Sequence, residues 1–348
     1  MPFDILGLDY LGKPLWAWLL FCGIVAILLA FDLGVLHRKV REIGVRESLL
    51  LSTAYIGIAL VFGAWVWVDM GGESGAAYLT GFFVEKTLAL DNVFVISLIF
   101  STLAIPPHLQ HRVLFYGILG VVVMRAIMIA FGTALILQFG WLLLVFGGIL
   151  VATGVKILVV AENPSAWVDN RLMRFMQQRL RVTKALHGDA FLVRLPNPAG
   201  TGSLLHVTPL FLALVMIEFA DLVFAVDSLP AIWAITTDPY IVYTSNIFAI
   251  LGLRALYFAL AASVHRFRYL KRALSLVLIF IGLKIFWNQI FGKFDPLISL
   301  GVTFALLAGS VIFSIWKAGK DEAAQKATAD PAFARSPPDR AADASASR

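Results

Sequence analysis

The stretch Glu85-Lys86-Thr87-Leu88-Ala89-Leu90-Asp91-Asn92 lies inside a long apolar run, and a second stretch repeats its pattern. The second stretch is Asp221-Leu222-Val223-Phe224-Ala225-Val226-Asp227-Ser228. Each octet reads acid, two residues, an apolar residue, Ala, an apolar residue, Asp and a small polar residue. Ionisable side chains at membrane depth are costly to keep and usually mark functional sites. The two octets therefore predict a paired ion-binding centre inside a membrane.

The composition supports a membrane environment. Of the 348 residues, 60% are hydrophobic and 14% are charged, with a mean hydropathy of +0.85. Soluble domains carry about a quarter charged residues. The single cysteine, Cys22, excludes an internal disulfide and a cysteine-rich metal site.

Nine segments are long and apolar enough to span a bilayer, which takes about 20 helical residues. The sequence therefore predicts an all-α integral membrane protein with nine transmembrane helices. We number these segments as spans 1 to 9, and they cover residues 15–36, 49–68, 77–104, 111–133, 140–160, 208–235, 242–263, 273–291 and 297–316.

Positive residues concentrate in alternate loops. Loops 37–48, 161–207 and 264–272 are rich in Lys and Arg, whereas the intervening loops hold almost none. The positive-inside rule then predicts a cell inner (plasma) membrane protein with its N-terminus outside and its C-terminus in the cytoplasm.

The chain divides into six regions. We predict an N-terminal region 1–76, a repeat unit A over 77–160, a cytoplasmic basic linker 161–207, a repeat unit B over 208–291, span 9 within 292–316 and a disordered cytoplasmic tail 317–348. Within the linker, residues 167–186 are predicted to form a basic amphipathic helix on anionic lipid headgroups.

The two units match beyond the octets. Met124-Arg125-Ala126-Ile127 in span 4 resembles Leu253-Arg254-Ala255-Leu256 in span 7. Gly154-Val155-Lys156-Ile157 in span 5 resembles Gly282-Leu283-Lys284-Ile285 in span 8. Because each unit has three helices, helices 3–5 and 6–8 would run in opposite directions. Inverted repeats of this kind are typical of secondary transporters, whose binding sites lie near the bilayer midplane.

The charged residues of the spans must pair with each other, bind a cation or titrate. One hypothesis is a site of Glu85, Asp91, Asn92, Asp221, Asp227 and Ser228, surrounded by a secondary ionic network of Asp32, Glu218, Lys86, Arg125, Lys156, Arg254 and Lys284. The alternative is an ion-pair scaffold that only holds the helices together. Lys86 is expected near the outer end of its span, where its stem could reach the interface.

Helix geometry constrains the acids of each octet. Positions seven apart share a face, so Glu85 should lie with Asn92, and Asp221 with Ser228. Asp91 and Asp227 lie roughly 120° away from those faces. Either a helix break, which Pro230 would favour in span 6, brings both acids to one ion, or each acid has a separate role.

The candidate ligands are almost wholly oxygen. Carboxylate, amide and hydroxyl oxygens suit Mg²⁺, Ca²⁺ or Mn²⁺, and protons or Na⁺ remain alternatives. The sequence contains no phosphate-binding G-x-x-x-x-G-K-[ST] loop. We expect no enzymatic activity, no permanently bound cofactor and no nucleic-acid partner; the expected partners are the lipid membrane, a metal ion, protons and other membrane proteins.

Several motifs resemble the TerC family of integral membrane proteins: the Glu85–Asn92 octet, the run Asp221–Ala231, the end of span 1 at Asp32-Leu33-Gly34-Val35 and the lead-in Thr208–Leu214. The resemblance covers residues 15–316. It implies Mn²⁺ efflux, tellurite resistance and a response to alkaline pH, with Glu85, Asp91, Asp221 and Asp227 as the intramembrane acids. The family's second motif usually has Thr-Thr where this chain has Phe219-Ala220.

The sequence thus predicts a secondary transporter that exports Mn²⁺ by proton-coupled alternating access. Two rival hypotheses stay open. One is a non-transporting membrane factor in tellurite resistance or membrane protein assembly. The other is a Ca²⁺ or Na⁺ transporter on the same fold.

Overall fold

The protein is a helical assembly. The computed structural model describes residues 9–36, 45–159, 171–183, 185–196, 203–260 and 270–309. Its helices are α1 (Leu15–Leu36), α2 (Val45–Asp69), α3 (Gly72–Thr102), α4 (Pro107–Gln138), α5 (Leu142–Val159), α6 (Arg171–Arg179), α7 (Pro209–Ile235), α8 (Pro239–Ile250), α9 (Leu253–Leu260), α10 (Leu270–Phe291) and α11 (Pro296–Gly309).

Two antiparallel hairpins accompany the helices. Strands β1 (Asp9–Tyr10) and β2 (Lys13–Pro14) precede α1, and strands β3 (Leu192–Pro196) and β4 (Ser203–Val207) precede α7. The prediction of a wholly α-helical chain missed both. Strands of two and five residues in a polar segment give too short an alternating pattern to stand out.

Six helical stretches of the described residues are long and apolar enough to cross a membrane: α2, α4, α5, α7, α8 with α9, and α10. Shorter apolar helices cover Leu15–Phe31 and Pro296–Gly309. Helix α3 has 31 residues but carries Glu85, Lys86 and Asp91 near its middle. The helical integral membrane class is therefore confirmed, while spans 1, 3 and 9 stay predictions.

The exposed surface of the long helices is apolar. Val68, Val61, Leu137 and Val159 each expose more than two thirds of their area. Many other large apolar side chains of these helices are exposed as well. This surface is suited to contact with lipid chains.

Helices α3 and α7 lie against each other at the centre. Helix α3 also contacts α2, α8 and α10, and α7 also contacts α4, α5 and α10. An aromatic cluster joins α1, α2, α3 and α8, where the Phe62 and Phe248 ring centroids are 4.7 Å apart. These apolar contacts hold the central pair in place from several sides.

Helices α5 and α10 approach closely where both carry glycine. A Cβ on Gly282 would lie 2.8 Å from the carbonyl oxygen of Gly147, and one on Gly154 would lie 2.7 Å from that of Ser275. Small residues allow this backbone contact, a common way of packing helices in membranes. Gly154 and Gly282 are the glycines that the two repeat motifs share.

Span 7 is divided into two helices. Helix α8 ends at Ile250, α9 begins at Leu253, and Gly252 between them has a φ of +78°. Only glycine adopts this backbone conformation without strain. A side chain there would also collide with Tyr55 of α2, because a Cβ would lie 2.8 Å from the Tyr55 ring.

The linker contains a folded piece. Helix α6 ends at Arg179, so the predicted helix over 167–186 is wrong beyond that residue; its first part, 167–170, lies outside the described residues. The chain leaves the helix because Val182 pairs with Val207 of β4. Met173 and Met176 are buried in the core beside α3 and α7, while Phe175 is exposed. The tail 317–348 lies outside the described residues.

Replacing Gly282 by Ala should destabilise the α5–α10 contact, because the new methyl group would press on the backbone of Gly147. Overpacking of this kind costs about 1–3 kcal/mol. We expect a lower melting temperature for purified Gly282→Ala in detergent. Gly148→Ala is the control, since its Cβ would meet open space. Equal melting temperatures for both variants would contradict the close contact.

Candidate functional site: a buried ionic cluster

Both octets lie on continuous helices. Helix α3 runs from Gly72 to Thr102, and α7 runs from Pro209 to Ile235 with Pro230 inside it. The predicted break near Pro230 is therefore wrong, because packing against α3, α4 and α5 holds α7 helical through the proline. The break lies instead in span 7, between α8 and α9. With both helices continuous, a helix break does not bring the two acids of an octet to one ion. The remaining hypothesis is that each acid has a separate role.

The centre of the site is the guanidinium group of Arg125 on α4. Nη1 donates to Glu85 Oε1 of α3, while Nε and Nη2 donate to Asp221 Oδ2 and Oδ1 of α7 at 3.3 and 3.2 Å. Arg125 and Glu85 are each 1% exposed, so both charges are removed from solvent. One cation thus holds the first acid of both octets. Arg125 was predicted as part of a secondary network, and the structure places it at the centre.

Three neutral groups complete the cluster. Arg125 Nη1 also contacts Asn246 Oδ1 of α8 at 3.0 Å and Ser228 Oγ at 3.4 Å. Asn92 Nδ2 donates to Asp221 Oδ1 at 3.3 Å. The predicted shared faces are confirmed, because both residues of each pair reach the same cluster. Asn246 was not predicted to belong to the site, because this residue has no counterpart in the other repeat unit. The only sequence feature that marks it is an amide side chain within an apolar run.

Two buried oxygens of the cluster have no hydrogen-bond donor among the described residues. They are Glu85 Oε2 and Asn92 Oδ1. Buried polar atoms in native proteins are nearly always paired with protein, water or an ion. The Asn92 oxygen can only accept, and so can Glu85 Oε2 while its carboxylate is ionised, so a bound cation or a water would satisfy them.

A cavity of about 30 Å³ reaches the cluster from one side. Asn92 and Asp221 supply its polar wall, and apolar residues of α3, α4, α7, α8 and α9 supply the rest, including Ile96 and Leu253. Such a volume holds about two waters, since one needs roughly 10–15 Å³. The cavity therefore has room for a small ion or a few waters beside the cluster.

A larger pocket of about 430 Å³ opens at the other end of α3. Its lining is polar and comprises Glu73, Ser74, Thr80, Thr236, Thr237, Asp238, Lys284 and Ser299, together with apolar and backbone groups. Thr80 precedes Glu85 by five residues, or about 7.5 Å along the helix. Along α3, Glu85 thus lies between the residues that line the larger pocket, up to Thr80, and those that line the smaller cavity, from Asn92.

The three lysines of the predicted network have surroundings of their own, apart from the Arg125 cluster. Lys86 Nζ donates to the carbonyls of Ala249 and Leu251, so the expectation that it reaches the outer interface is wrong. Lys284 is buried and donates to Ser299 Oγ at 3.1 Å. Lys156, its counterpart in the repeat, is exposed.

The half-buried Glu218 carboxylate occupies the space above Gly120 of α4, where a Cβ would lie 2.1 Å from its Oε1. The side chains of Asp32, Asp91, Asp227 and Arg254 lie outside the described set. Within that set, no group of three or more His, Cys, Asp or Glu side chains is placed to hold a metal ion. Glu85 and Asp221 supply two carboxylates, so a metal site here would need others.

Arg125→Ala should strongly destabilise the protein, because it leaves Glu85 and Asp221 as buried charges without a partner. Breaking a buried pair costs about 3–5 kcal/mol. Adding Glu85→Gln and Asp221→Asn to the same variant should recover part of the lost melting temperature. Arg112→Ala on the same helix is the control, since its partner Asp189 is largely exposed. A triple variant less stable than Arg125→Ala would contradict this account.

Comparisons with known proteins agree with the geometry. The family model described as integral membrane protein TerC family matches residues 70–322. A membrane protein of Rickettsia felis is 48% identical over 299 residues, covering 86% of this chain and 97% of that protein. One of Myxococcus xanthus is 45% identical over 307 residues, covering 88% and 93%.

A third relative, from Salmonella typhi, is named "Putative membrane-bound redox modulator Alx" and is 42% identical over 318 residues, covering 89% of this chain and 96% of that protein. No solved structure matches. The match over most of the chain, together with the two octets, shows that this protein belongs to the TerC family of integral membrane proteins.

Proposed function

We propose that this protein is a secondary transporter that exports divalent cations, in the first place Mn²⁺, from the cytoplasm. The observation that carries the proposal is the buried cluster of oxygen groups, flanked along α3 by residues that line two cavities, with acceptors at Glu85 Oε2 and Asn92 Oδ1 that no described donor satisfies. Carboxylate and amide oxygens favour hard cations. The family resemblance supplies Mn²⁺ as the candidate ion.

The acids would divide the work. Arg125 already compensates the negative charges of Glu85 and Asp221. Each carboxylate could therefore bind the guanidinium, a metal ion or a proton in turn. Asp91 and Asp227 lie on the same helices, one residue before Asn92 and Ser228. We assign Asp91 and Asp227 as the direct metal ligands, with Glu85 and Asp221 as further ligands or proton carriers. Asn92 and Ser228 belong to the Arg125 cluster, because successive residues of a continuous helix point about 100° apart.

Inverted symmetry between helices α3–α5 and α7–α10 is part of the proposal. Helix α3 packs on α8 as α4 packs on α7, and α10 contacts α3 as α5 contacts α7. If α3, α4 and α5 are exchanged with α7, α8 and α10, the α3–α8 contact becomes the α7–α4 contact. The α3–α10 contact becomes the α7–α5 contact in the same way. Glu85 and Asp221 are exchanged in the same way and meet on one arginine. Such a pairing supports alternating access about the central site.

The orientation follows the charge distribution of the loops. With the N-terminus outside and the tail in the cytoplasm, the small cavity near Ile96 would open to the cytoplasmic side. The larger pocket around Thr80 would face outside. Transport would then require α3 and α7 to shift against their neighbours, so that the cluster is exposed to one cavity at a time.

Cells without their own Mn²⁺ exporters should lower their Mn²⁺ content when they express the wild-type protein. Asp91→Asn and Asp227→Asn should abolish this effect, because each removes a charged ligand from the metal. The measurement is cellular Mn²⁺ after loading, at matched protein levels in the membrane. Asp69→Asn, an exposed residue at the end of α2, is the control and should export normally. Export by both site variants at the wild-type rate would refute the ligand assignment.

Accessibility of single cysteines should report the orientation. In a Cys22→Ser background, Glu73→Cys should react with a membrane-impermeant maleimide in intact cells. Ala185→Cys, beside the β3–β4 hairpin, should react only after permeabilisation. Both positions are exposed, so burial does not limit the reaction. The reverse pattern would contradict the proposed orientation.

The second candidate is a non-transporting membrane factor. The observation that favours it is Arg125 itself, which ties four helices together as a purely structural ion pair would. The redox role in the name of the Salmonella typhi relative fits this class, although Cys22 is the only cysteine and no dithiol can form within the chain. Reconstitution in liposomes separates the candidates. Mn²⁺ flux by the purified protein supports transport, and the absence of flux in sealed vesicles that contain correctly folded protein supports the non-transporting factor.

A further inference from the structure

Lys86 binds the broken end of a helix. Its ammonium group is 3.0 Å from the carbonyl oxygen of Ala249 and 3.3 Å from that of Leu251. These carbonyls flank the last residue of α8, where the turn at Gly252 interrupts the helical ladder. The side chain is partly buried, and no carboxylate pairs with it among the described side chains. Its charge is therefore compensated by backbone dipoles.

The carbonyl pair has the chemistry of a cation site. The last carbonyls of a helix lack helical partners, and the helix dipole places partial negative charge at this end. Transporters coordinate Na⁺ with such carbonyls at interrupted membrane helices. Carbonyl oxygens also replace the hydration shell of K⁺ in channels. A lysine ammonium carries the same single charge.

We propose that the break between α8 and α9 is a monovalent-cation site which Lys86 fills as a tethered cation. The site is separate from the ionic cluster, because Arg125 binds Glu85 while the adjacent Lys86 is directed to the break. It does not depend on Mn²⁺ being the exported ion. Removal of the ammonium would leave two buried acceptors that Na⁺ or K⁺ can satisfy.

The arrangement also couples α3 to two neighbours at consecutive residues. Glu85 fixes α3 to α4, and Lys86 fixes it to the junction of α8 and α9. Any shift of α3 along α8 must withdraw the ammonium from Ala249 and Leu251. The site is then open to a free cation in the shifted arrangement and closed to it in the present one.

The test is the melting temperature of purified Lys86→Ala in choline chloride, NaCl and KCl at equal ionic strength. Wild type should melt at one temperature in all three salts. The variant should melt lower in choline chloride and recover by about 3 °C or more, saturably, in NaCl or KCl. Lys284→Ala is the control, because that buried lysine binds a serine hydroxyl and not a helix end. It should show no salt-specific recovery.

Identical melting of Lys86→Ala in the three salts would overturn the proposal. If Lys86→Ala does not fold in choline chloride, Lys86→Met provides the same test with the side-chain volume preserved. If either variant folds in NaCl or KCl but not in choline chloride, this result supports the site. Failure of both to fold in every salt overturns it, because a free ion would then be unable to replace the ammonium. None of these outcomes requires transport activity, so a failure here is distinct from a failure of Mn²⁺ export.

Discussion

The burial of Arg125 between Glu85 and Asp221 constrains the rest of the structure. Removing an ion from water costs several kcal/mol even after the protein relaxes, and only well-formed pairing offsets that cost. Helices α3, α4, α7 and α8 must therefore meet where their polar groups can reach one guanidinium. The planar fork of arginine suits this task, because its five donors can serve several acceptors at once.

The apolar contacts around the cluster supply the rigidity that such pairing needs. The aromatic group of α1, α2, α3 and α8 lies on one side, and the glycine contact of α5 with α10 lies on another. Neither contact carries charge. Arg125 and Glu85 are each 1% exposed, and the low dielectric of such a buried site strengthens the electrostatic interactions inside it.

The helix interruption does not lie at the proline, where it was expected. Pro230 lies within a continuous helix, whereas span 7, which has no proline between Tyr240 and Leu260, is interrupted at Gly252. A glycine with positive φ ends a helix as effectively as a proline, and it leaves carbonyl oxygens free for Lys86. The continuous helices α3 and α7 carry the acids, and span 7 carries the interruption.

The two octets by themselves determined much of this protein. Their pattern inside apolar runs indicated a membrane site, and a spacing of seven residues placed Glu85 with Asn92 and Asp221 with Ser228. These inferences hold because helical periodicity and the cost of buried charge are local properties of the chain. Tertiary structure alone decided that Arg125 joins the two acids, that Asn246 completes the cluster and that Lys86 binds a helix end while Lys156 remains exposed. Each of these depends on which helices become neighbours, and the packing that sets this is distributed over the whole chain.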